Sequence, residues 1–241
     1  MNNEPIIVLA TLFPMNSEER SEQYVLRKLI SEYLTTKPKF ELRVHVYSAH
    51  LEGVNAALTI LAKYPIKSNV IHIHTSYAGQ RAEEISFCKE FLSHHLAAIQ
   101  CDYILYMDAD VWTSIRQVES WIALIGANVK KTFIKIKYCL RDGRSSPAHT
   151  LGAYFHHQEL VLATIYWQKI FPRNNDGTRN GAPDCCLHDY LSKAGCNKIV
   201  PPNLKTYHFT DMHNANTFEE GVLSVSTDAR NEIDALCSIK D

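Results

Sequence analysis

The amino-acid sequence predicts an α/β fold: a Rossmann-like, largely parallel central sheet flanked by helices in a single compact domain. Two observations carry this. Short β-branched apolar runs alternate with helix-spaced segments through the first half of the chain. The length of 241 residues, with 46% hydrophobic and 21% charged residues, is that of an ordinary globular chain able to bury a real core.

The elements follow in order. Ile6 to Leu12 is apolar and β-branched at its start, a strand ending at Phe13-Pro14. Ser17 to Tyr33 places Val25, Leu26, Leu29, Ile30 and Tyr33 at helical spacing. Phe40 to Tyr47 alternates, with Leu42, Val44 and Val46 on one face and Glu41, Arg43 and His45 on the other. Val54 to Tyr64 reads as helix, Asn69 to Thr75 as strand, and Ala82 to Gln100 as the longest helix. Asp102 to Met107 is the next strand, Ser114 to Ile125 a helix, and Thr132 to Leu140 a strand. Up to about residue 125 the pattern is Rossmann-like. Beyond it, Asp142 to Pro147 and Pro172 to Pro183 are long polar connections rich in turn residues. Loops of that kind usually serve as lids or binding loops.

Composition excludes several classes. The formal net charge is −1, without the basic excess of a dedicated nucleic-acid binder, so nucleic acid is not an expected partner. The seven cysteines are odd in number and form no CxxC pair, as in a reduced, cytoplasmic protein with buried thiols. The apolar run of the N-terminal MNNEPIIVLATLFP lacks a basic flank and is too short for a signal core or a transmembrane segment.

The chemistry is carried by Asp102-Tyr-Ile-Leu-Tyr-Met-Asp108-Ala-Asp110-Val-Trp112. A buried strand ends in two carboxylates one small residue apart, and strand carboxyl ends are where open α/β sheets bind ligands. Two acids there are costly without a cation beside them, and hard oxygen ligands suit Mg²⁺ or Mn²⁺, which also grip a diphosphate. Two solvated acids opening a loop, with Asp110 near a helix N-terminus, is the plain alternative.

Glu84 through Trp112 resembles the central stretch of GT-A glycosyltransferases of the Asp-x-Asp type, similar to the family-2-like superfamily. Gly181 to Gly195, with Asp184, resembles that family's acidic residue on a helix before a glycine turn. Lys198 to Phe209 resembles its closing strand and metal-binding histidine, here His208. The order agrees over about 200 residues, although the family often has two acids where this chain has Pro183-Asp184. The resemblance implies a nucleotide-binding half over 1–112 and an acceptor-binding half over 113–241. It also implies an enzyme moving a sugar from a nucleotide-diphosphate sugar, UDP or GDP, to an acceptor the sequence does not name. Asp108 and Asp110 with His208 would hold the metal, with Asp108 also reaching the ribose.

By the same resemblance, Thr11 and Phe13 stand where the nucleotide base is held, with Tyr47 and Ser48 similarly placed. Arg81 could pair with the diphosphate as a fork of donors, or be a solvated surface arginine. Asp184 would be the catalytic base of an inverting transfer, or the N-cap of the helix that follows it. His156 or His157 could contact donor sugar or acceptor; His72 and His74 read as edge or buried histidines, and Cys185-Cys186 as core filler. Three rivals remain. A haloacid-dehalogenase-like phosphatase wants Thr or Val where Trp112 stands. A nucleotidyltransferase wants a Gly-rich, Arg-bearing loop after the first strand, and Leu12-Phe13-Pro14 offers none. A non-catalytic nucleotide-sugar-binding module need not keep both aspartates and a far histidine.

Overall fold

The alternation in the sequence becomes strand and helix in the expected order in the computed structural model, which describes residues 4–13, 21–77, 81–125, 132–135, 153–160, 191, 195–199 and 206–208. The elements are β1 (Ile6–Leu12), α1 (Ser21–Thr36), β2 (Glu41–Ser48), α2 (Leu51–Leu61), β3 (Lys67–His72), α3 (Arg81–Ala97) and β4 (Tyr103–Met107). They are followed by β5 (Val111–Thr113), α4 (Ile115–Ile125), β6 (Thr132–Lys135), β7 (Ala153–His157), β8 (Asn197–Ile199) and β9 (Thr206–His208).

Among the described residues, seven strands form one sheet in the order β3-β2-β1-β4-β7-β6-β8. The first four run parallel; β7 is antiparallel to both its neighbours, and β8 is parallel to β6. The expected α/β fold with a largely parallel sheet is therefore the fold observed.

Successive side chains of a strand point to opposite faces, and this sorts the core into two layers. Ile7 and Leu9 of β1 join Leu42, Val44 and Val46 of β2 under α1, α2 and α4. Val8 and Ala10 join Tyr47, Ile104 and Tyr106 under Cys88, Leu92 and Leu96 of α3. Strands covered on both faces read as nearly continuous apolar runs, which is why Ile6 to Leu12 lacks a polar alternation.

Element ends differ from the sequence reading where apolar periodicity is a poor guide. α1 continues past Tyr33 through two threonines to Thr36. It stops at Lys37, whose φ of 49° is left-handed and whose N–H bonds to the Tyr33 carbonyl at 3.0 Å. Pro38 follows and cannot extend a helix. α2 begins three residues early, at an exposed Leu51, and winds off at Lys63 and Tyr64 through bonds to Ile60 and Leu61. β5 was not expected at all; it leaves the main sheet and pairs with β9.

Candidate active site

The parallel strands β1, β2 and β4 present their carboxyl ends on one edge, the edge at which open α/β sheets bind ligands. Ala10 lies opposite Tyr106, so Thr11 and Asp108 leave neighbouring strands one and two residues further on. At the end of β4 the chain turns sharply: the Val111 N–H donates to the Asp108 carbonyl at 2.9 Å. Such a four-residue turn needs a small residue where it is enclosed, and Ala109 is 8% exposed. Asp108 and Asp110 flank it, both half-buried.

The same turn launches β5, whose Val111, Trp112 and Thr113 pair antiparallel with His208, Tyr207 and Thr206 of β9. The backbone of His208 is thus brought beside the residue that follows Asp110, across about 100 residues of chain. Directly opposed residues of an antiparallel pair lie roughly 4.5–5.5 Å apart at their Cα atoms. The His208 side chain lies outside the described residues.

Behind the turn, α3 contributes a group that the sequence reading missed. Lys89 is 9% exposed, with its Nζ 3.7 Å from Asp108 Oδ1 and 5.3 Å from the centre of the Tyr106 ring. The Tyr106 hydroxyl donates to the same oxygen at 2.7 Å. One carboxylate oxygen of Asp108 is therefore held by a cation and a phenol, and the cation lies over the phenol's ring. A signal for this was present: Ser86, Lys89 and Ser93 fall on one helical face, beside the stripe of Cys88, Leu92 and Leu96, and all three are buried. A lysine between two serines reads as a solvated face unless the strand above it is known to end in acids.

At the ends of β1 and β2, Thr11 is 4% exposed and its hydroxyl has no hydrogen-bond partner among the described residues. Phe13 is 1% exposed and packs into the first core layer, while its N–H donates to the Tyr47 carbonyl at 2.7 Å and its carbonyl accepts from Ser48 Oγ at 2.9 Å. Tyr47 is wholly buried in the other layer, with its hydroxyl 2.8 Å from His95 Nδ1. Both aromatic rings are core residues at the strand ends where the sequence reading places the nucleotide base. The reason is register: Leu12 pairs with Tyr47, and the strands are still covered by helices at that level.

Two more polar contacts stiffen the edge. His50 Nε2 meets Glu84 Oε1 at 2.7 Å, tying the start of α2 to the first turn of α3. Glu32 of α1, 7% exposed, accepts from Ser114 Oγ at 2.5 Å and from the Ile115 N–H at 3.0 Å, capping α4 just after β5. Burial pushes the Glu32 carboxyl above its usual range against these hydrogen bonds.

Arg81 opens α3 near the same edge, its side chain outside the described residues. Asp184 and the loop before it lie outside them too, as do Cys185 and Cys186. His156 is 1% exposed in β7, its Nδ1–H donating to the His157 carbonyl at 2.7 Å, and burial pushes its pKa down to about 4. It is enclosed in the sheet, whereas His157 packs edge-on against Tyr103. The rings of His72, at the end of β3, and His74, just beyond it, lie 4.4 Å apart and tilted by 57°.

The residues present fit a divalent cation. Two half-buried carboxylates at i and i+2 are hard oxygen donors, and Lys89 already offsets one of their charges. Among the described residues no cluster of three or more His, Cys, Asp or Glu side chains could hold a metal. A Mg²⁺ or Mn²⁺ here would take further oxygens from diphosphate and water, as Mg²⁺ does in sites with one or two carboxylates. No helix among the described residues is long and apolar enough to cross a membrane.

No protein-family model and no curated protein matches the sequence. Solved structures do match in fold. S. aureus TarS (1–349) superposes with a TM-score of 0.56 at 15% identity, over 96% of this chain and 72% of that one. A glycosyltransferase involved in glycosylation of the major capsid of PBCV-1 gives 0.52 at 9% identity, over 96% and 100%. The 4-diphosphocytidyl-2C-methyl-D-erythritol synthase of Anaerococcus prevotii gives 0.52 at 13% identity, over 94% and 99%. The chain therefore has the fold seen in GT-A-type glycosyltransferases, and in the 4-diphosphocytidyl-2C-methyl-D-erythritol synthase as well.

Proposed function

We propose that this protein is a metal-dependent glycosyltransferase that moves a sugar from a nucleotide-diphosphate sugar, UDP- or GDP-linked, to an acceptor still to be identified. The observation that carries this reading is the Asp108–Asp110 turn at the carboxyl end of β4, with the backbone of His208 paired beside it. Residues 1–112 would bind the donor and 113–241 the acceptor, in the cytoplasm. The fold of the TarS and capsid-glycosylation neighbours supports the reading without deciding it.

Asp110 would hold the cation, with His208 as a further ligand, and Asp108, one oxygen of which accepts from the Tyr106 hydroxyl, would serve the cation or the ribose. When bound, the cation stabilises charge growing on the leaving diphosphate. Thr11 offers its hydroxyl to the base, and Arg81 its guanidinium to the phosphates. Phe13 and Tyr47 shape this pocket from the core, not by stacking on the base. Asp184 accepts the proton of the acceptor hydroxyl as the glycosidic bond forms. Asp184→Asn keeps a helix cap but not a base, so lost turnover at unchanged melting temperature would support that role.

The decisive test is a thermal-shift panel of UDP-, GDP-, CMP- and TDP-sugars with and without Mn²⁺, then turnover of the donor that binds. Asp110→Ala should lower turnover by about a thousandfold, roughly 4 kcal/mol in the barrier, without unfolding the chain. Near-wild-type turnover would sink the assignment. The synthase neighbour favours one second reading, transfer of a nucleotidyl group. Pyrophosphate release from a nucleoside triphosphate, with no nucleoside diphosphate formed from any sugar donor, would establish it instead.

A further inference from the structure

We propose that Tyr106 is a positioning residue, whose hydroxyl sets the Asp108 carboxylate in place for the nucleotide ligand without being needed for the fold. This rests on the metal-dependent reading above. Residues i and i+2 at the end of a strand leave the same face, roughly 6.5 Å apart along the chain. A tyrosine side chain leaning along its strand spans that gap, and the Tyr106 hydroxyl donates to Asp108 Oδ1 at 2.7 Å.

The two partners of this bond differ in freedom. Tyr106 is 1% exposed, in the core layer that holds Val8, Ala10, Ile104 and Leu92, and the Lys89 ammonium lies 5.3 Å from its ring centre. Its hydroxyl is a donor held still by packing, so it restrains the torsions of the side chain that accepts from it. Other contacts of Asp108 add to that restraint. The Asp108 side chain, by contrast, is 34% exposed. Water can serve its oxygen once the hydroxyl is gone, and phenylalanine keeps the ring in the core, so the fold should lose little by Tyr106→Phe. The ligand should lose more. A carboxylate ordered beforehand does not have to give up rotamer freedom on binding, which sets the effect at about tenfold in affinity.

The test measures binding of UDP and GDP with Mn²⁺ to the intact protein by titration calorimetry, beside urea unfolding, for wild type, Tyr106→Phe and Asp108→Ala. Tyr106→Phe should weaken the nucleotide by about tenfold while the unfolding midpoint stays close to that of wild type. Asp108→Ala should weaken it at least as much, because the tyrosine acts through that carboxylate. For the sugar donor that binds, Tyr106→Phe should raise KM about tenfold and leave kcat nearly unchanged, as when an interaction common to substrate and transition state is lost. Three results overturn the proposal and leave the glycosyltransferase reading standing. They are an affinity that Tyr106→Phe does not change, a loss larger than that of Asp108→Ala, and a Tyr106→Phe protein that does not fold, since the hydroxyl then serves the fold. Wild type that binds neither nucleotide with Mn²⁺ removes both.

Discussion

The two faces of the central sheet are made by the same strands, yet they bury different chemistry. Under α1, α2 and α4 the enclosed side chains are almost wholly apolar, with Trp112 and Trp121 fully covered and Glu32 as the buried acid that caps α4. Under α3 the covered residues include Lys89, Ser86, Ser93 and His45. His95 reaches Tyr47 there. One face supplies cohesion, and the other carries polar groups from the middle of the sheet to the edge at Asp108. Buried polar groups are costly unless partnered, so the α3 face depends more on its particular contacts and the opposite face more on volume.

That contrast can be broken in order of effect. Trp121→Ala, on the apolar face, should cost about 3–5 kcal/mol in urea unfolding, because a large cavity opens where little can collapse. A loss below about 1 kcal/mol would mean the apolar layer is not the main source of cohesion. Glu32→Ala should cost about 1–3 kcal/mol by orphaning the Ser114 hydroxyl and the Ile115 N–H. Glu32→Gln keeps an acceptor oxygen and removes a charge that burial penalises, so at pH 7 it should be close to neutral or stabilising. Equal losses in both variants would show that the charge, not the acceptor, does the capping.

The α3 face should show itself through acid. Burial lowers the His45 pKa from 6.5 to about 4, with the nearby His95 adding to the shift. The folded state therefore favours neutral imidazole, so the stability it contributes is present above pH 6.5 and is lost as pH falls towards 4. His45→Phe should flatten the fall of unfolding free energy across that window by an amount on the order of 1–2 kcal/mol, with His156 keeping part of the slope. Parallel profiles for the two proteins would remove His45 from acid unfolding. The smallest effect should be Leu58→Ala on the outer side of α2, at 51% exposure. It should stay within about 0.5 kcal/mol by the same unfolding measurement, since little apolar area is withdrawn from water there.

By itself the sequence determined the order of strands and helices, the largely parallel sheet, and the position of Asp108 and Asp110 at the end of β4. These follow from local patterns: period-two and period-3.6 burial, and an apolar run closed by two acids. Leu42, Val44 and Val46 share a face because strand geometry alone puts them there. The tertiary structure decided what those patterns cannot carry. β5 is three residues long and exists only because β9 returns to it, so no window of sequence contains the reason for it. Lys89 reaches Asp108, 19 positions further along the chain, only because α3 packs over β4. Phe13 and Tyr47 stand at strand ends in sequence, but the helices still cover them there, so packing assigned their rings to the core. Local backbone preference acts over a few residues, whereas pairing, helix docking and charge proximity join residues far apart in the chain, and the site depends on all three.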